Sequence, residues 1–189
     1  SRLQARYSLY RVTSENARNA GGLSDVSRGA TLEDTDQTIA ISYLSTLSSG
    51  TINEARAQYT RSRLGAPVND LVGPAVNVSG VASFGTATSS PTARDLDVFQ
   101  IVDTITLQRG SHLFKTGVDL LYNRLNIEFP GALQGVYTFT SLANLQSGTY
   151  SQFQQAFGAP SQFQANPNLG VFAQDEWRLG PSLSLVAGL

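Results

Sequence analysis

Between positions 126 and 168 the chain gathers the side chains best suited to holding a ligand. They are Phe129, Tyr137, Phe139, Tyr150, Phe153, Phe157 and Phe163, with Gln152, Gln154, Gln155, Gln162 and Gln164 among them and almost no charge. Rings offer flat apolar area, and amides both donate and accept hydrogen bonds, a combination that suits stacking on sugar rings or gripping an extended peptide. The same residues have a plainer use. A long loop must bury something to stay ordered, and these aromatics would then pack on one another over a short helix at Ser141 to Gln146. Both uses stay open at the level of sequence.

Other reactive groups are sparse. His112 is the single histidine and cysteine is absent, so a transition-metal site lacks its usual ligands. Its expected role is to end one strand and start the next, in a tight turn after Gly110. A Ser-His-Asp constellation would have to recruit this same turn residue, and no serine lies in a Gly-x-Ser-x-Gly elbow. Asp175 and Glu176 are adjacent, and adjacent residues on a strand point to opposite faces, so they do not share a site. Asp34 and Asp36 do share a face at a loop rim, where calcium is left unassigned. No catalytic residue, metal or cofactor is expected, and the chain is read as non-enzymatic.

The 189 residues are 41% hydrophobic and 14% charged, too apolar for a disordered segment. No apolar run approaches the roughly 18 residues of a spanning helix. With 13 basic and 14 acidic residues and a formal charge of -1, no positive field exists for nucleic acid. Methionine is absent and no charged-then-apolar leader precedes the first strand, while Leu183 to Leu189 stops within an alternating pattern. The expectation is a piece cut from a longer protein.

Period-two alternation predicts seven strands, over 2–12, 35–47, 51–64, 97–108, 112–125, 169–179 and 183–189. Most are near the roughly 9 to 11 residues of a tilted strand crossing a bilayer. Three connections are tight: Ser48-Ser49-Gly50, Arg109-Gly110-Ser111 and Gly180-Pro181-Ser182, each read as a three-residue hairpin turn. The other three, 13–34, 65–96 and 126–168, are long, and the two classes strictly take turns. An outer-membrane barrel alternates short periplasmic turns with long extracellular loops in this way. The predicted fold is an all-β, antiparallel, up-and-down transmembrane β-barrel segment with long extracellular loops.

The strand faces support a wall between lipid and lumen. Leu3, Ala5, Tyr7 and Leu9 oppose Arg2, Gln4, Arg6 and Ser8; Leu183, Leu185, Ala187 and Leu189 oppose Ser184, Val186 and Gly188. Phe114, Val118, Leu120 and Tyr122 oppose Lys115, Asp119 and Asn123, although Leu113, Leu121 and Leu125 join that second face. Lys115, Asp119, Asn123, Gln174, Glu176 and Arg178 are the predicted lumen-facing or plug-facing set. Two strands are awkward: Asp103 shares a face with Phe99, Ile101, Ile105 and Leu107, and Ile52 with Glu54, Arg56 and Gln58. A bulge in either would repair it. Tyr122 and Trp177 are expected near opposite rims, as an aromatic girdle requires, or else in the core of a soluble sandwich.

Several motifs resemble one family. The segment from Asp103 to Asp119, containing Arg109-Gly110-Ser111-His112 and Lys115-Thr116-Gly117, resembles a hairpin of TonB-dependent outer-membrane receptors. Gly170 to Arg178, containing Phe172-Ala173-Gln174-Asp175-Glu176-Trp177, and Leu183-Ser-Leu-Val-Ala-Gly-Leu189 are similar to a later strand and hairpin of that family. Phe129-Pro-Gly131, Gly135 to Phe139 and Phe157-Gly-Ala-Pro160 resemble its Oar-like group, which carries a carboxypeptidase-regulatory-like domain. The likeness covers residues 95 to 189 well and the first half more loosely, with no TonB box, plug or C-terminal aromatic strand in view.

The resemblance implies a barrel of roughly 22 strands with a plugged lumen, of which seven are about a third. It implies lipid, the protein's own plug and remaining strands, TonB and a large solute (oligosaccharide, peptide or metal chelate) as partners, with nucleic acid excluded. A third of a barrel leaves open edges and would aggregate or stay molten in water. The competing reading is a secreted or surface β-sandwich module that binds carbohydrate, closed within this length and stable in buffer. An enzyme on a β-scaffold with two carboxylates is a third. Neither explains the alternating loop lengths.

Overall fold

A computed structural model describes residues 1–88 and 92–189. Seven long strands make one antiparallel sheet: β1 (Arg2–Arg18), β2 (Ala30–Ser48), β3 (Thr51–Gly65), β6 (Ala93–Arg109), β7 (His112–Glu128), β10 (Ser161–Gly180) and β11 (Leu183–Gly188). Their order, β1-β2-β3-β6-β7-β10-β11, follows the chain without a crossover, as an up-and-down wall requires. Four short strands, β4 (Ala75–Val78), β5 (Ala82–Phe84), β8 (Val136–Phe139) and β9 (Gln152–Gln154), build a second sheet from the long connections. It covers strand tips and adds no second layer to the wall, which removes the sandwich reading. A five-residue helix, α1 (Leu142–Gln146), lies between β8 and β9, capped by Ser141. Among the described residues no helix is long and apolar enough to cross a membrane.

Register aligns the side chains into rows that run across the wall. One row is Tyr7, Ile39, Tyr59, Phe99, Tyr122 and Pro167. The next row toward the short turns is Ala5, Ile41, Ala57, Ile101, Leu120 and Leu169. Most of these side chains are exposed, Tyr7 at 57% and Leu169 at 68%, and nothing among the described residues covers them. A contiguous apolar surface of this extent is stable only against hydrocarbon.

One row beyond the aromatic row the same face becomes Leu9, Gln37, Arg61, Asp97, Arg124 and Ala165. After that it is Arg11, Thr35, Arg63, Asp95, Asn126 and Phe163. The change from rings to ion pairs marks the outer membrane–water boundary. Tyr59 and Phe99 stack at 4.7 Å, Phe99 and Tyr122 lie 6.5 Å apart, and the Tyr59 hydroxyl donates to Asp97 at 2.7 Å. Amphipathic rings favour this position because one end is apolar and the other wet. At the opposite rim His112 stacks on Trp177 (5.4 Å) beside the turn at 110–111, so Tyr122 and Trp177 do lie at opposite ends of the wall.

Several boundaries differ from the sequence pattern. The turns hold two residues, since Ser48 pairs with Thr51, Arg109 with His112 and Gly180 with Leu183; slips at Leu47 and Leu179 absorb the third position. At the far ends β1, β2, β3, β6, β7 and β10 continue beyond the predicted limits, shortening the connections to 19–29, 66–92 and 129–160. Alternation fades there because both faces meet water, while backbone pairing continues. At about 3.3 Å per residue and a tilt near 40°, such strands rise roughly 40 to 50 Å against about 30 Å of hydrocarbon. They project above the membrane. No bulge repairs the awkward strands: β3 pairs β6 without a slip, Ile52 faces the lumen with Glu54, Arg56 and Gln58, and Asp103 stays on the apolar face. Asn53 donates to Asp103 Oδ1 at 2.7 Å, which partners that carboxylate within the band.

Candidate functional site

The long connections are not free loops. β4 runs parallel to β8, which pairs antiparallel with β9, and β5 forms the opposite edge. This sheet joins the second and third connections. The first docks on β5: the Asp25 amide donates to the Ser83 carbonyl and the Ser83 amide to the Leu23 carbonyl, both at 2.8 Å. Arg28 reaches the Thr86 carbonyl at 2.7 Å, and burial pushes its guanidinium pKa down. Among the described residues the buried apolar ones, Ala30, Ala66, Ala75, Val78, Ala87 and Phe139, lie in this cap or at its base. The cap has the conventional core that the wall lacks.

Short polar turns shape the cap. The Ser27 hydroxyl and amide donate to Asp25 Oδ1 at 2.7 and 2.9 Å and hold its carboxyl below the usual range. The Gly73 and Val72 amides, at 3.0 and 2.9 Å from Asp70 Oδ1, do the same for Asp70. Gln134 donates to the Leu71 carbonyl and ties the second connection to the third.

The aromatic set divides. Tyr137, Tyr150 and Phe153 form one cluster, with the Tyr137 centroid 5.3 Å from Tyr150 and 4.7 Å from Phe153; Tyr150 and Phe153 remain half-exposed, and Tyr137 is more covered. Phe139 is only 7% exposed, within the cap core, while Phe157 is 86% exposed and Phe129 lies exposed at the β7 end. Phe163 is on β10 rather than in a loop, on the outward face under the Arg124 guanidinium at 6.0 Å. Gln152 and Gln154 flank Phe153 on the free edge strand; Gln162 and Gln164 lie on β10. Packing and exposure thus occur within a single cluster. A pocket of about 370 Å³ between Pro67, Leu71, Ala87, Thr92, Glu128 and Leu133 has no sequence signal, because its walls come from separate connections.

On the wall, register puts Lys115 opposite Gln174, Asp119 opposite Gly170, Asn123 opposite Asn166, Leu113 opposite Glu176 and Arg178 opposite Ser184. The six predicted positions therefore share the face opposite the apolar band. Gln100 donates to both Asp119 oxygens at 3.0 Å. Nearby, Gln4, Arg6, Arg56 and Gln58 line a concavity of about 420 Å³ with Gln100 and Asp119. Arg6 and Arg56 were not singled out in the sequence, where only pairing across strands could reveal their proximity.

His112 Nδ1 lies 2.8 Å from Asp175 Oδ2 on the outward face, and among the described residues no three potential ligating side chains converge. Asp34 and Asp36 face the lumen two residues apart, and among the described residues they join no group of three ligating side chains. No curated protein and no solved structure matches the chain. The family model described as an outer membrane beta barrel domain matches residues 1–189. With an apolar band bounded by rings on one face, polar residues on the other and alternating connections, the chain belongs to the outer membrane beta barrel domain family and resides in the outer membrane.

Proposed function

We propose that the chain is wall and cap of a TonB-dependent outer-membrane transporter that binds a large solute outside the cell and imports it. The observation carrying this reading is the union of the three long connections into one ordered cap above a polar inner wall. A pore lining needs no such cap, whereas capture of a solute benefits from loops ordered before binding, since less entropy is lost on association. The hairpin from Asp103 to Asp119 and the strand from Gly170 to Arg178, similar to those of TonB-dependent receptors, point the same way.

The inner face supports a protein-filled lumen. Leu96, Val98, Leu121 and Leu125 project there among Gln100, Asp119 and Asn123, and register places them side by side. Water alone is a poor partner for that patch, while a plug bearing both apolar and amide groups would cover it. β1 and β11 are open edges, and unpaired backbone groups are not tolerated in hydrocarbon, so further strands of the same wall pair with them. In this reading the cap holds the solute, the wall orients the plug, and TonB opens a path by pulling on it. The chain does no bond-making chemistry.

The test uses the full-length protein. Retention on an immobilised periplasmic TonB domain, and solute uptake that stops when the inner-membrane proton gradient is collapsed, are expected. Absence of retention, with uptake unaffected by the gradient, would leave a passive barrel and sink the proposal.

A further inference from the structure

The cap is almost free of charge. Residues 129–174 contain no Asp, Glu, Lys, Arg or His, residues 66–88 contain only Asp70, engaged by the Gly73 and Val72 amides, and residues 19–29 contain only Asp25 and Arg28, a pair of opposite charges engaged by Ser27 and by the Thr86 carbonyl. The strand tips just below it carry Arg61, Arg63, Asp95 and Asp97, so the neutrality belongs to the cap and not to the whole outer end. Along its free edge, β9, Phe153 lies on one face with Tyr137, and Gln152 and Gln154 lie on the other, so a ligand along the edge meets the ring from one side and the amides from the other; all three side chains are exposed. Behind Phe153 lie Tyr137 and the half-exposed Tyr150.

Resting on the reading of the cap as the capture surface, we infer that its solute is an uncharged oligosaccharide, bound along the β9 edge at the Tyr137–Tyr150–Phe153 cluster. A neutral surface gives no field to attract or discriminate an ionic solute such as an anionic metal chelate. Sugar rings present apolar C–H faces that stack on aromatic rings. Their hydroxyls both donate and accept, as do the two amides that reach the β9 edge from its other face. An extended peptide held by strand addition needs a long free edge, and β9 offers three residues.

The full-length protein in detergent is titrated calorimetrically with neutral oligosaccharides of glucose, xylose and mannose, a length-matched oligogalacturonate and a neutral heptapeptide. Each titration is run at about 0.05 and about 0.5 M NaCl. Binding of a neutral oligosaccharide with an affinity unchanged by salt is expected, weakened about tenfold by Tyr150→Ala and by Gln154→Ala, with Tyr150→Phe retaining most of it. Both variants alter exposed side chains, so the thermal unfolding of the cap should not move. No binding of any neutral sugar, binding of only the acidic sugar or only the peptide, or neutral binding indifferent to both alanine variants overturns the inference. Retention on TonB reports on the transporter reading independently: sugar binding without retention removes transport and keeps the ligand class, and the converse removes only the ligand class.

Discussion

At the residue scale, a few positions have their identity forced by contact. Gly117 faces the lumen opposite Phe172, and a Cβ there would sit 2.5 Å from the Asp103 carbonyl oxygen and 2.7 Å from Phe172 Cε1. The ring covers the bare backbone of the glycine, the cross-strand device that protects glycine in sheets. Gly117→Ala should destabilise the wall by about 1–3 kcal/mol through overpacking. Phe172→Ala should not rescue it, because the carbonyl contact remains. Urea midpoints in lipid vesicles of the single and double variants check this. Asp70 and Asp25 set a pH response in the cap. Both carboxyls titrate lower in the folded state than unfolded, so their stabilising contribution is complete above the ordinary value, about 3.9, and is lost as pH falls through the folded value. Protection of the Val72 and Gly73 amides from hydrogen exchange, relative to their intrinsic rate at each pH, should therefore fall below about pH 4 and not between neutrality and about pH 5; Asp70→Asn should flatten the profile.

At the element scale, what matters is which face of a strand meets which solvent. Leu120 lies on the lipid side of β7 and Asn123 on the lumen side. An arginine at Leu120 should cost about 2–4 kcal/mol in lipid, against little at Asn123. Equal costs in equilibrium unfolding would reverse the assignment of faces. The first connection is tied to the cap by side chains as well as backbone: Arg28 donates to the Thr86 carbonyl at 2.7 Å, Asn69 to the Val26 carbonyl at 2.7 Å, and the Ser27 hydroxyl accepts from the Gly85 amide at 2.9 Å. Arg28→Ala combined with Asn69→Ala should loosen it, and limited proteolysis should then cut between 19 and 29 while the long strands stay resistant. Unchanged cleavage there would mean that the backbone bonds to β5 suffice.

At the scale of the molecule, burial is inverted relative to a soluble domain. The cap is buried against itself, while the wall keeps Leu3, Ile41, Ile101, Leu120, Leu169 and their neighbours on the surface. The hydrophobic effect that folds a soluble protein here favours insertion into lipid. The two unpaired edges add a tendency to associate strand to strand. Residues 1–189 alone should aggregate or remain molten in plain buffer and gain β-structure in detergent micelles by circular dichroism. A sharp cooperative melt of a monomer in buffer would contradict the membrane assignment.

The wall was legible in the sequence because each strand states its own two faces: Leu3 to Leu9 against Arg2 to Ser8, or Phe114 to Tyr122 against Lys115 to Asn123. Tight turns at Gly50, Gly110 and Pro181 marked one rim, and at Gly110 the backbone takes a φ of 59° that favours glycine. Period two is a property of the chain alone, so no tertiary contact is needed to read it. The cap was not legible for the opposite reason. Its parallel β4–β8 pairing joins residues some sixty positions apart, its strands are three or four residues long, and its core rests on alanines that carry no pattern. Likewise the upper ends of the strands lose alternation where both faces are wet, and only backbone pairing with neighbours decides how far they continue. Phe163 belongs to β10 and not to a loop for this reason, and the partnership of Asp103 with Asn53 followed from register between strands, which no single strand encodes.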